Sequence, residues 1–413
     1  MTNHPLRAVA CGAAMLLAAS VALGADSSGH SPKFRKITLS NDFYSEGATA
    51  GDFNKDGKLD YAAGPFWYEG PDFKKRHTYY KGSPVDPHGY SANFLAFSDD
   101  FNHDGWDDIL IIGFPGAETA WFANPQGKDG DWERHVVAKV TDNESPTYGD
   151  LNGDGKKELI FHTHGNLGWA EPDASDPNAA WTFHKASPRD ERFQRFTHGL
   201  GYGDVNGDGK LDLLEARGWW EQPASLQGDP DWKFHPQQFY SPGHGDGGAQ
   251  MYAYDVNGDG QNDILTSLQA HGCGLAWFEA KKDGDEIKFE RHLILSDKLD
   301  EKINGVQFAQ LHAVDLYDMD GDGIKDLVTG KRHWAHGPDG DLDPKAPPVL
   351  YWFRLTREAG KATFTPHLID DDSGVGTQVM ACDLNGDKKG DVVVGNKHGQ
   401  FILIQEPEKT AQR

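Results

Sequence analysis

Cysteine is scarce in this chain of 413 residues: only Cys11, Cys273 and Cys382 are present. Three cysteines cannot staple a chain of this size, so it must rest on a packed core or on bound metals instead of a disulfide framework. Cys273 falls in a loop and Cys382 at the end of a strand two repeats later, so no disulfide is expected between them. Positive charge is also short, with 40 Lys and Arg against 64 Asp and Glu and a net charge of −24. That balance excludes a nucleic-acid binder, which needs a basic surface for the phosphate backbone. Beyond residue 25 no apolar run is long enough to span a bilayer. The one apolar run, from Ala8 to Leu23, follows Arg7 and ends in Ala22-Leu23-Gly24, so residues 1–25 read as a secretory signal peptide. Cys11 is too near the start to be a lipoprotein cysteine. A secreted or periplasmic protein is expected, with a linker over 26–33 and a short tail over 408–413.

What the chain has in quantity is one acidic loop, seven times over. The copies place oxygen side chains at positions 1, 3, 5 and 9. They are Asp52, Asn54, Asp56 and Asp60; Asp100, Asn102, Asp104 and Asp108; Asp150, Asn152, Asp154 and Glu158; Asp204, Asn206, Asp208 and Asp212; Asp255, Asn257, Asp259 and Asp263; Asp318, Asp320, Asp322 and Asp326; and Asp383, Asn385, Asp387 and Asp391. Glycine at position 6 permits the sharp turn that wraps a short loop around a hard cation, which points to several bound Ca2+ ions. No helical pattern flanks the loops, so they are not EF-hands. The third copy ends in Glu158, and the seventh has Lys388 where glycine belongs, which makes the seventh the weakest calcium site. The competing reading is that Asp, Asn and Gly only form hairpin turns.

The loops start 48, 50, 54, 51, 63 and 65 residues apart. A period near 50 is that of a blade-by-blade repeat, in which no unit buries its own faces alone. Each loop is followed by a short apolar run, such as Asp108-Ile-Leu-Ile-Ile, then by an aromatic strand such as Trp121-Phe122-Ala123-Asn124-Pro125, then by a strand carrying His77, His135, His184, His235, His292 or His367. Six histidines in one slot mark a structural position. The seventh repeat stops after its third strand, near Ile404, whereas Phe34-Arg35-Lys36-Ile37-Thr38-Leu39 matches the fourth-strand pattern. The N-terminal strand is therefore expected to complete the last blade and close the ring. The fold expected over 34–407 is all-β, a seven-bladed β-propeller.

The loop motif and its spacing resemble the FG-GAP or VCBS repeats, which include the propeller of integrin α subunits. The resemblance covers about residues 34–407. More weakly, Trp121-Phe122-Ala123-Asn124-Pro125 and Gln310-Leu-His312-Ala-Val-Asp315 resemble stretches of the propeller of aldos-2-ulose dehydratases and related bacterial proteins. That second resemblance implies metal-assisted dehydration of a keto-sugar. The cupin domains that accompany the fungal enzyme are absent, and no catalytic residue is carried over from it.

If the acidic loops join the first and second strands on one face, the other connections surround the channel mouth on the opposite face. Six residues before each first loop Asp stand Glu46, Phe94, Glu144, His198, Ala249, His312 and Thr377, with Gln250 and Gln378 one place later. A scaffold position would look alike in every repeat, so this variation points to a shaped site. Glu46, Glu144, His198 and His312 are candidate ligands of a second metal, Zn2+ or another transition ion because imidazole nitrogen favours it over calcium. His198, His312, Arg217, His244 and His271 are candidate catalytic residues. Further polar groups in these loops include His162, His164, Lys331, Arg332, His333, His336, His398 and His88. The preferred reading is a metal-assisted lyase acting on a keto-sugar or glycan, expected to be a monomer. The alternative is a noncatalytic propeller that binds a carbohydrate or a protein.

Overall fold

The computed structural model describes residues 32–407 apart from 174, 244, 245 and 285. The signal peptide, nearly all of the linker, the tail and His244 lie outside the described residues. Among the described residues the regular structure is strand throughout, with one 3-10 turn at Glu191–Phe193. No helix among them is long and apolar enough to cross a membrane.

The repeat builds four antiparallel strands in chain order. In the first copy these are Thr49–Gly51, Asp60–Ala63, Phe66–Tyr68 and Arg76–Thr78. The acidic loop joins the first strand to the second. The aromatic residue of the third strand stands opposite the histidine of the fourth in register, as in Trp67 with His77 and Trp352 with His367. All six pairs stack, with ring centroids from 3.9 Å (Trp67–His77) to 5.3 Å (Trp169–His184). A glutamate two residues after the tryptophan holds four of these imidazoles: Glu69 to His77 at 2.8 Å, Glu171 to His184 at 3.3 Å, Glu221 to His235 at 2.7 Å and Glu279 to His292 at 2.9 Å. The repeated histidine is thus a clamp between outer strands.

The blade count corrects the sequence expectation. Five four-stranded sheets stand separately, while the fourth and fifth repeats share one eight-stranded sheet. The junction is a parallel pairing of their first strands, Leu200–Gly203 with Gln250–Tyr254, in the register Gly201↔Met251. The cause is local. Three residues before the loop Asp the other repeats carry Thr49, Phe97, Thr147, Tyr252, Asp315 and Met380, whereas the fourth carries Gly201. A Cβ on Gly201 would collide with the Met251 carbonyl, so only glycine lets these two backbones approach to hydrogen-bonding distance.

The N-terminal strand lies where its pattern places it. Phe34–Ser40 pairs antiparallel with Gly399–Gln405, from Phe34↔Gln405 to Ser40↔Gln400. The last sheet then meets the first through Gln400 Nε2 to the Ala63 carbonyl at 2.8 Å and Tyr61 Oη to the Val394 carbonyl at 3.0 Å. First strands of every repeat contribute to the lining of one cavity of about 420 Å³, including Thr49, Ser98, Tyr148, Tyr202, Tyr252, Asp315 and Ala381. This β-propeller arrangement gives the site its axis.

Candidate functional site

The acidic loops follow the first strands, and the variable positions precede them, so the two sets lie at opposite ends of the channel. Neighbouring repeats are stitched together at the variable end by Thr377 N to the Glu46 carbonyl (3.0 Å), Glu46 N to the Asn93 carbonyl (2.9 Å) and Glu144 N to the Thr197 carbonyl (2.9 Å). A second anchor is Gln310, whose φ of 60° is uncommon for a residue with a side chain. It is held by Gln310 N to the Gly272 carbonyl (2.7 Å), Gln310 Nε2 to the Leu342 carbonyl (2.9 Å) and Arg332 N to the Gln310 carbonyl (3.0 Å). That knot fixes His312, His271 and Arg332 near one another, and strain held by several bonds is a mark of a site.

Glu144, His198, His271 and His312 each offer a ligand atom, and these atoms lie within 4.8 Å of one another. Glu144 Oε2 is 3.0 Å from His312 Nε2 and 3.5 Å from His198 Nε2. The three imidazole rings form a near-equilateral triangle, with centroids 5.0, 5.1 and 5.1 Å apart. His312 is fully buried with no partner for Nδ1 and only Glu144 before its Nε2, and His198 Nε2 and His271 Nδ1 have no carboxylate closer than 3.5 and 3.7 Å. Buried polar atoms are almost always paired, so orphaned imidazole nitrogens facing one carboxylate need a further partner. Burial, with Arg332 nearby, pushes His312 down to about 4, and burial likewise pushes His271 down. Burial opposes ionisation of Glu144, but His198 and His312 outweigh it and hold the carboxyl well below its usual range. Metal ligation requires an ionised carboxylate and neutral imidazoles, and Glu144, His271 and His312 are each shifted in that direction.

A cavity of about 440 Å³ opens onto this cluster, lined by Tyr90, Phe114, Glu144, Phe196, His198, His271, Arg332, Ala335 and His336. At its mouth, His336 Nδ1 is 2.7 Å from Asp341 Oδ1, which also lies 3.7 Å from His271 Nδ1. Asp341 is fixed by the backbone N–H groups of Ala335 (2.6 Å) and His336 (2.9 Å).

Four of the sequence candidates therefore converge: Glu144, His198, His312 and His271. Others do not. Glu46 is buried in an ion pair with Arg332 and does not join the cluster, because the Arg332 guanidinium captures its carboxylate. Arg217 is half-exposed and pairs with Asp246, away from the cavity lining. Gln250 and Gln378 are bridges between backbones: Gln378 accepts from Ala96 N (2.9 Å) and donates to its carbonyl (2.8 Å), and Gln250 accepts from Val314 N (3.1 Å). His162 is a core residue, hydrogen-bonded to Thr197 Oγ1 at 2.8 Å and pushed down to about 3 by burial. Sequence reasoning did not single out Asp341 or the individual lining residues Tyr90, Phe114 and Phe196. For Asp341 the sequence sign is the longer sixth repeat, whose extra length lies in the loop after Gly330.

The acidic loops share one geometry. In six loops the first Asp accepts backbone N–H groups from positions 5 and 6, as Asp52 does from Asp56 (3.0 Å) and Gly57 (2.8 Å), and in the third Asp150 accepts from Gly153 (2.8 Å) and Gly155 (3.0 Å). The ninth residue is buried and accepts from position 2 and, in six loops, from the end of the third strand, as Asp60 does from Phe53 (3.0 Å) and Gly70 (2.8 Å). Burial pushes Asp60 up to about 7 and Asp108 and Asp326 to about 8. In the seventh loop Lys388 takes the glycine conformation at φ 68° and donates to Asp383 at 2.9 Å, so the loop path survives the substitution. Three carboxylates gather closely in the third loop (Asp150, Asp154, Glu158) and in the sixth (Asp318, Asp320, Asp326). In the sixth, Arg354 Nε also reaches Asp320 at 2.6 Å. Cys273 and Cys382 are both buried and unpaired with each other.

No curated protein matches the chain. Among solved structures, it is similar to an Agrocybe aegerita lectin described as recognising non-reducing terminal N-acetylglucosamine, at 14% identity and a TM-score of 0.33, covering 91% of this chain and 80% of that one. It is also similar to BBS1N in a complex with ARL6DN, at 8% identity and a TM-score of 0.48, covering 93% of this chain and 99% of that one. These comparisons give the keto-sugar lyase resemblance no support. The model of the FG-GAP-like repeat matches residues 100–161 and 204–266, so the propeller carries FG-GAP-like repeats.

Proposed function

We propose that Glu144, His198, His271 and His312 hold a divalent transition ion, and that the adjoining cavity is the site of a metal-assisted lyase acting on a sugar-derived substrate. The observation that carries the reading is the convergence of three imidazoles and one carboxylate with ligand atoms within 4.8 Å, their buried nitrogens otherwise unpartnered. An imidazole-rich donor set suits Zn2+ or a similar ion better than Ca2+. Such an ion would supply Lewis-acid polarisation of a carbonyl or carboxyl oxygen. The chain supplies the rest. His336, oriented by Asp341 at the cavity mouth, is placed to accept a proton from the carbon beside that oxygen. Phe114, Tyr90 and the exposed Phe196 offer flat apolar faces to a sugar ring.

The acidic loops are read as calcium sites at the opposite end. Their crowded carboxylates, several with burial opposing ionisation, favour a bound cation over bare turns. Export directed by residues 1–25 would place the loops among the weak calcium sites of extracellular modules.

The test is elemental analysis of purified protein, which should find about one transition ion per chain in addition to calcium. His312→Ala and His198→Ala should each lower the transition-metal content about tenfold and abolish lyase activity on a keto-sugar. The calcium-dependent melt should stay nearly unchanged in both variants. Retention of the metal by both variants would overturn the centre. The aromatic lining with exposed Phe196 would then favour a noncatalytic carbohydrate-binding propeller.

A further inference from the structure

Beside the histidines the cavity wall carries cations, in a chain whose net charge is −24. Arg332 is 2% exposed and lines the cavity. One arm of its guanidinium pairs with Glu46, while Nε and Nη1 are buried and have no hydrogen-bond partner. Leaving guanidinium donors unpaired and out of water is costly, so they are expected to meet an acceptor that is not part of the chain. Lys397 is 5% exposed and packs its Nζ 4.7 Å from the ring of Tyr90, another lining residue. The hydrogen bond it makes, to the Ala335 carbonyl, is long at 3.4 Å. Glu46 is the anion paired directly with Arg332, and Lys397 is within electrostatic reach of both Glu46 and Asp341, so the open acceptor need of this wall is that of the Arg332 guanidinium.

We infer that the ligand of this cavity carries a carboxylate, as a uronate or another sugar acid does, and that Arg332 receives it with Lys397 behind. The inference rests on the reading of this cavity as the ligand site. A guanidinium with two free donors, Nε and Nη1, matches a planar carboxylate fork. The volume of about 440 Å³ accommodates a single sugar ring. Arg332 and Lys397 are thereby specificity-determining residues, while the chemistry stays with the metal cluster.

The experiment is calorimetric titration of the whole metal-loaded protein with glucuronate, glucose and glucose 6-phosphate at neutral pH and low salt. Glucuronate is expected to bind at least about tenfold more tightly than either of the others. Arg332→Met should remove most of that preference without weakening glucose. Because that change strands the buried Glu46 carboxylate, a folded result is secured with the pair Glu46→Gln and Arg332→Met, and independently with Lys397→Met, which leaves the Arg332–Glu46 pair intact. Each should cut the preference for glucuronate severalfold. Equal binding of glucuronate and glucose by a protein that holds its transition ion would overturn the anion inference while leaving the metal centre in place. Tighter binding of glucose 6-phosphate would overturn the carboxylate assignment. Preference for glucuronate in metal-free His312→Ala protein would uphold the anion wall even if the lyase reading fell.

Discussion

A chain that begins at Ser40 is expected to melt at least about 10 °C below one that begins at Pro32, or to lose its cooperative transition altogether. The six residues Phe34 to Leu39 supply the outer strand of the last sheet, and their partner strand Gly399–Gln405 is buried along its whole length. Deletion uncovers that strand. It also removes the half-buried Phe34, Ile37 and Leu39, each worth roughly 1–2 kcal/mol of apolar burial. It breaks the 2.9 Å ion pair from Lys36 to Asp370, which ties the strand to the sixth repeat. A newly unpaired strand edge is an aggregation site, so light scattering should rise along with the loss of stability. Thermal melts and scattering on the two chains decide the matter; melts within about 2 °C of each other would show that the strand is dispensable.

Removal of calcium from the acidic loops is expected to have an effect of similar size, on the proposed reading of those loops. At positions 1, 3, 5 and 9, six of the loops carry three carboxylates and the loop that opens at Asp318 carries four. Without cations these groups repel one another, and burial already works against the charge of Asp60, Asp108, Asp212, Asp326 and Asp391. Each site saturated at about a hundred times its dissociation constant would contribute about 2.7 kcal/mol, so even a few loops acting together exceed the stability of many domains. Dialysis against a chelator should lower the melting temperature by 10 °C or more, in order-of-magnitude terms, and added calcium should restore it. An unchanged melt after complete metal removal would leave the loops as turns, with the ninth carboxylate acting only as a backbone acceptor.

Much of the strand order was legible because the acidic loop punctuates the chain at a fixed place in every repeat. The tryptophan and histidine slots recurred with it, and their stacking follows from direct cross-strand register. The fusion of the fourth and fifth repeats was not legible, since it turns on the missing side chain of Gly201 and on the nearness of Met251. In the site, comparison across repeats picked out Glu144, His198 and His312 because all three occupy one position relative to the loops. His271 reaches the same point from a different connection, so that comparison did not group it with them. Glu46 occupies the favoured position but finds Arg332, 286 residues away in the chain, and no local pattern announces such a partner.

The fused eight-stranded sheet bears on how the ligand cluster behaves when the molecule breathes. His198 leads into the first strand of the fourth repeat, and His271 follows the second strand of the fifth, so both ride on one hydrogen-bonded plate. Glu144 and His312 belong to the separate sheets on either side. Opening between sheets has only single backbone bonds such as Glu144 N to the Thr197 carbonyl or Gln310 N to the Gly272 carbonyl to break there, and it displaces Glu144 or His312 while the His198–His271 spacing holds. Amide exchange should accordingly be slowest at Leu200–Tyr202 and Gln250–Tyr252 among the first strands, and exchange of a metal would proceed by loss of the outer pair of ligands before the inner one.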